Sequence, residues 1–177
     1  GEQNWVSQQI AVKMAMGTAY SSVKKNDFAL DLYTEARGLA EKATENGDPA
    51  GNAMVVQTAF AQGSALVGDK KFRDAAPVYE EAIPLAEKSN NAYLEMEACR
   101  MAGFCYQKSR NKDAAWGFYL DALEAGEKLD EKSRPDTTLP YVGKELLKIA
   151  SNKERPEIMN RMNTLVGEGW EERLESN

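Results

Sequence analysis

The chain has 177 residues, 42% of them apolar and 28% charged, with a formal net charge of −6 and a pI of about 4.9. That is one domain's worth of globular protein, and its acidity argues against nucleic acid or an anionic membrane surface as a partner, since both demand a basic footprint. Histidine is absent. The commonest general base, the commonest zinc ligand and the usual pH switch near neutrality are therefore missing, which argues against most hydrolases, and neither a cofactor nor a metal is expected.

From Trp5 to about Lys24, Val6, Ile10, Met14, Gly17 and Ala19 recur at helical spacing, and Asn26-Asp27 supplies a turn and a new start. A second helix is expected from Asp27 to Asn46, ended by Gly47-Asp48-Pro49. Asp48 as N-cap with Pro49 at the first helical position predicts the next helix, Pro49 to Val67. The same plan gives helices over Lys71–Ser89, Asn91–Ser109 and Lys112–Asp130, turning at Gly68-Asp69 and at Asn111. Pro77 and Pro84 fall inside the fourth helix, seven residues apart on one face. Their counterparts Asp31, Gly38, Gly117 and Glu124 are polar or small, so this face is expected to look at solvent, where water takes the freed carbonyls, and the helix to bend. Beyond the charged linker 131–138, helices are expected over Leu139–Ser151 and Pro156–Leu174. The last carries Ile158, Met162, Val166, Trp170 and Leu174 at four-residue spacing, with a weak point at Gly167 and Gly169.

The first six helices form a repeat. Gly17, Gly63 and Gly103 are each followed by alanine after twelve residues (Ala29, Ala75, Ala115), tyrosine after sixteen (Tyr33, Tyr79, Tyr119) and alanine after nineteen (Ala36, Ala82, Ala122). Small residues at fixed offsets on two successive helices let those helices pack closely, and recurrence after 46 and then 40 residues builds one two-helix unit three times. The units run over about 5–46, 48–89 and 91–130. The helices over 139–177 leave this phasing: counting on from Gly143 lands on Arg155, Met159 and Met162. A degenerate fourth pair that caps the stack is the economical reading, the alternative being that the last helix folds into a groove or engages a second chain.

Cys99 and Cys105 lie six apart on one helix, about 9 Å from Cα to Cα, too far for a disulfide. Buried, reduced thiols suit a reducing, cytoplasmic compartment. No apolar run approaches the roughly 18 residues of a membrane span, and no signal-peptide pattern opens the chain. The chain begins at glycine and not at an initiator methionine, which leaves a processed start or a further segment open. Carboxylate pairs such as Glu80-Glu81 and Glu171-Glu172 point about 100° apart on a helix and read as solvated faces. No phosphate-cradling loop or nucleophile motif appears, so no catalytic residues are expected.

The offsets resemble the tetratricopeptide repeat, which places small residues at its eighth, twentieth and twenty-seventh positions, Tyr or Leu at the eleventh (here Tyr20, Leu66, Tyr106) and an aromatic at the twenty-fourth. The units are longer than the family's 34 residues and resemble its subclass with longer helices. The family's tryptophan-like position is unmet (Lys13, Ala59, Cys99), as is its closing proline (Glu41, Glu87, Glu127). The resemblance implies an all-α, right-handed α-solenoid of antiparallel helix pairs, here a single domain over 1–177, working as a protein-interaction scaffold.

The resemblance further implies that the first helix of each unit lines a concave groove for a partner protein or peptide. Carried over, the lining is Ala11, Met14, Thr18, Ser21 and Ser22; Gln57, Phe60, Ser64, Val67 and Gly68; and Glu97, Arg100, Phe104, Gln107 and Lys108. Met14 and Phe60 stand where a carboxylate clamp needs polar donors, so no such clamp is expected. Arg100 and Lys108 read as a solvated surface and not as an anion site, whereas Phe60, Phe104 and Met14 suit the apolar side of a bound helix. Small acidic proteins of three such units also resemble secretion chaperones, although the long units count against this. Self-association is left open, through the C-terminal helix or a helix face around Trp5.

Overall fold

The computed structural model describes residues 2–175, with side chains from residue 5 to 172. It is all-α, built of consecutive helix pairs, with no strand among the described residues. The helices are α1 (Glu2–Ser22), α2 (Asn26–Glu45), α3 (Gly51–Gly68), α4 (Phe72–Lys88), α5 (Ala92–Lys108), α6 (Lys112–Glu127), α7 (Thr138–Ile149), α8 (Arg155–Val166) and α9 (Trp170–Glu175), with a 3-10 turn over Glu131–Ser133. They fall into two compact units, Gly1–Asn91 and Ala92–Asn177. The division coincides with the boundary between the second and third repeats.

Each repeat is closed by one contact. Tyr33 lies against Gly17, Tyr79 against Gly63 and Tyr119 against Gly103, so tightly that a Cβ at Gly103 would come within 2.9 Å of Tyr119 Cδ1 and one at Gly63 within 2.6 Å of Tyr79 Cε2. The repeat alanines 29, 36, 75, 82, 115 and 122 are fully buried. Interiors pack at crystal density, so the ring occupies the volume that a side chain on the facing helix would otherwise need.

The turns within the hairpins are also repeats. Lys24, Lys70 and Arg110 adopt left-handed backbone (φ 60°, 60° and 66°). The amide after each donates back to the carbonyl of Tyr20, Leu66 and Tyr106, at 3.0, 2.9 and 2.9 Å. This is the six-to-one bond that closes a helix end, a place where glycine is usual. A long cationic residue fills it here at some steric cost.

In the first unit, α3 packs on α2. Val55, half-buried Met54 and Leu85 join Ile10, Ala36 and Ala40 in one cluster, and Ala65 joins Ala29 and Tyr33 in another. Gly51 abuts Thr44, Gln62 Nε2 donates to Thr34 Oγ1 at 2.8 Å, and Arg37 bridges Glu41 and Glu81 at 2.9 and 2.6 Å. Burial alone lowers the pKa of Arg37, but its bonds to Glu81 and Glu41 outweigh that and hold it above its ordinary value.

In the second unit, α7 and α8 form a further hairpin, Gly143 facing Met162. The glycine contact recurs, but with methionine nineteen residues on in place of tyrosine at sixteen. Gly126 meets Leu139 where α6 passes α7, and Arg161 Nε donates to Glu127 at 2.8 Å. Arg134 ties the linker down, donating to the carbonyls of Leu129 and Leu165 at 3.1 Å each.

Two local expectations need correction. Pro156–Leu174 is not one helix: Gly167 and Gly169 take φ of 83° and 73°, α8 ends, and α9 turns back onto α7. Ile158, Met162 and Trp170 are buried in their own unit, Val166 is half-buried, and the side chain of Leu174 lies outside the described residues. Asp48 does not cap α3 at Pro49; its carboxylate accepts from Ala50 N at 2.9 Å in a turn, and α3 starts at Gly51. Pro77 and Pro84 are exposed as expected, and α4 runs through both.

Gly63→Ala should lower stability by about 1–3 kcal/mol, because Tyr79 must move. Gly117→Ala, where a Cβ meets nothing within 4 Å, should raise it by about 0.5–1 kcal/mol through helix propensity. Thermal melts of the two variants check the opposite signs. Cys99 and Cys105 are buried free thiols, and burial pushes the Cys105 thiol up to about 12. The unfolded thiol ionises near about 8.5. Between these values the unfolded state gives up its proton first, so stability should fall as pH rises through that window. In a Cys99→Ala background, Cys105→Ala should flatten that alkaline slope in denaturant titrations.

Candidate protein-interaction surface

The residues expected to line a groove sit on the first helices of the hairpins, and each unit presents its own set. In the first unit α1 and α3 touch. They carry exposed Ala11, Thr18, Ser22, Gln57, Ser64 and Gly68 beside half-buried Met14, Ser21, Phe60 and Val67. Several also serve the hairpin. Thr18 Oγ1 shares a hydrogen bond with Tyr33 Oη at 3.3 Å, and Ser64 Oγ shares the equivalent one with Tyr79 Oη at 3.4 Å. The rings of Tyr33 and Tyr79 are buried, and their hydroxyls meet exposed residues of the facing helix. Phe60 lies edge-on to Tyr79, centroids 5.5 Å apart, and Met14 packs on both clusters of the unit's core. Ser21 Oγ donates to Asn26 Oδ1 at 3.0 Å, and Asn26 Nδ2 donates to Asp69 at 2.5 Å.

In the second unit the corresponding face of α5 is engaged by α7. Glu97 accepts from Arg100 Nη2 at 2.7 Å and from Thr138 Oγ1 at 2.9 Å, and the Arg100 guanidinium lies 5.8 Å over the Tyr141 ring. Gln107 donates to Glu145 at 2.6 Å and accepts from Tyr119 Oη at 3.1 Å. Lys148 Nζ meets the other oxygen of Glu145 at 2.5 Å. Lys108 Nζ lies 5.3 Å over the Phe104 ring of its own helix. Arg100 and Lys108 therefore each have a partner within the unit.

The Tyr119 phenol is pushed well above its ordinary range by burial, with the neighbouring Tyr141 and Glu145 adding to the effect and Arg100 opposing it. Tyr141 is raised by burial too. Neither phenol is an acid or base near neutrality. Thr138, Tyr141 and Glu145 were missing from the sequence expectation. Their one signal was Glu145, beside Lys144 in a run, Leu139–Leu147, with no other charge; a carboxylate that becomes buried needs partners.

A second surface feature lies on the first hairpin. Trp5, Gln8, Gln9, Val12, Lys13 and Met16 of α1 and Leu32, Glu35, Gly38, Leu39 and Lys42 of α2 line a cleft of about 740 Å³. Lys13 and Glu35 form an ion pair inside it. Among the described residues, no group of three Cys, Asp or Glu side chains could hold a metal, and no helix is long and apolar enough to cross a membrane.

No protein-family model and no curated protein matches the sequence. Solved structures do match. The apo form of RapI superposes with a TM-score of 0.73 at 13% identity, over 96% of this chain and 60% of RapI. BtubC (BKLC) from P. vanneervenii gives 0.70 at 15%, over 95% of this chain and 65% of BtubC. The chain thus spans less than two thirds of either protein. Both are helical-repeat folds of the tetratricopeptide kind, and at such identities the likeness is one of fold.

Tyr119→Phe should cost about 1 kcal/mol or more, because it removes the hydroxyl that Gln107 accepts inside the unit. Tyr33→Phe should cost less, since Thr18 is exposed and water replaces the lost partner. Urea titrations of both variants test the difference.

Proposed function

We propose that the chain is a non-catalytic interaction module that binds a peptide or helix of a partner protein along the first helices of its hairpins. The observation that carries this reading is the state of Met14, Phe60 and Val67. They are apolar, half-buried, and flanked by exposed Thr18, Gln57 and Ser64. An amphipathic helix lying in a groove needs apolar anchor sites with a polar rim. Phe104, under Lys108, is the aromatic of the second unit's set; it stands one turn further along, where the preceding repeat has Ser64, while Phe60's own counterpart is Arg100.

The fold likeness to RapI and BtubC is consistent with a binding role and does not identify a ligand. Phe60→Asp with Phe104→Asp should weaken the partner by about 2 kcal/mol or more, some 30-fold. Gln57→Asp, an exposed change, should weaken it without touching the fold. Affinity capture from cell lysate with mass spectrometry, circular dichroism and melting curves alongside, reads this out. A retained protein lost from both well-folded variants supports the groove; equal retention by all three proteins overturns it.

A further inference from the structure

The cleft on the first hairpin is the repeat-equivalent of a contact the structure already makes. The second hairpin grips α2 with five residues: Gly51 against Thr44, Val55 and Leu85 against Ala36 and Ala40, Gln62 on Thr34, and Glu81 on Arg37. Stepping back one repeat, 46 residues, turns these into Trp5, Gln9, Leu39, Met16 and Glu35. All five line the cleft. The face is therefore built to receive helices, by continuity with the α2–α3 contact.

Its side chains exclude another repeat at the same spacing. Gly51 admits α2 because it has no side chain: a Cβ there would lie 2.6 Å from Thr44 Cα. Trp5 puts an indole at that point. Glu81 draws an arginine from the neighbouring hairpin, whereas its counterpart Glu35 is satisfied by Lys13 from its own. What remains is an apolar ridge and groove that calls for no charge from its occupant.

That apolar surface is large and local. Trp5 is 63% exposed, Val12 58% and Met16 47%. Val23 and Phe28 belong to the same hairpin, so it holds five of the six most exposed large hydrophobics among the described residues. The cleft lining carries two lysines against one glutamate, in a chain whose formal net charge is −6. Two copies meeting face to face here would keep the acidic excess of each chain out of the contact.

We propose that this face is the interface of a homodimer, formed isologously by the α1–α2 hairpins of two copies. Each Trp5–Val12–Met16 ridge enters the other's groove between α1 and α2, making a four-helix layer at the junction. The isologous form closes on itself. Head-to-tail growth would need the small residues that the second hairpin has and the first lacks. This inference stands on a different surface from the proposed groove and is independent of it.

The test is sedimentation velocity over a concentration series, with the double variant Val12→Thr, Met16→Gln. It installs the residues of the equivalent positions Thr58 and Gln62 and therefore suits the fold, which circular dichroism verifies. The wild type should pass from monomer to dimer, and the variant should need at least tenfold higher concentration to do so. Trp5→Ala should act in the same direction. A wild type that stays monomeric throughout, a variant that dimerises like the wild type, or growth beyond a dimer would each overturn the proposal.

Discussion

The structure depends on one steric exchange, made three times: a tyrosine ring on the second helix of a hairpin fills the space left by a missing side chain on the first. Gly17, Gly63 and Gly103 bring the backbones together, and Tyr33, Tyr79 and Tyr119 fix how closely. The buried alanines on either side follow from that separation, since nothing larger fits between helices so near. The hydroxyl at the far end of each ring then decides what lies above it. In the first unit it meets Thr18 or Ser64 at the surface. In the second it meets Gln107, and through Gln107 the buried Glu145.

That difference separates the two units chemically. The face of α1 and α3 keeps its polar atoms at the surface and its apolar ones half-covered. The equivalent face of α5 is covered by α7, which carries Thr138, Tyr141 and Glu145 onto it. A buried carboxylate is costly unless it is bonded, and Glu145 is bonded twice over, by Gln107 and Lys148. The network therefore fixes how α7 sits on α5, and it occupies groups that a sequence pattern assigns to a ligand.

The hairpins and their spacing were legible because glycine, alanine and tyrosine recur at offsets that only close helix packing explains. The helix ends were legible to within a few residues. Position 48 misled because Asp-Pro is as good a turn as a helix start, and the chain used it as a turn. The last helix misled because the stripe from Ile158 to Trp170 keeps its four-residue rhythm across two glycines in left-handed backbone, and a rhythm in sequence does not require one straight rod. Of the candidate surface, Met14, Phe60 and Val67 came from the family resemblance laid on the repeat phase, and repeat phase alone does not say which face binds. The partners of Arg100 and Gln107 could not be placed, because α7 has lost the phase that would align it with the earlier helices.

The same logic explains why the first hairpin differs from the second at positions the repeat makes equivalent. An internal hairpin meets a helix on this face, so it carries glycine where backbones touch, and an acid that a neighbouring arginine completes. The first hairpin carries tryptophan, valine and methionine instead, with its acid completed internally by Lys13. Relief from backbone contact explains why large side chains are tolerated there, but it does not explain why they are apolar. A face that met only water would satisfy the same sterics with lysine or glutamate, at no hydrophobic cost. The retention of apolar bulk together with an internally neutralised charge is what a surface requires when it is covered by something of like character, and a copy of itself has that character by construction.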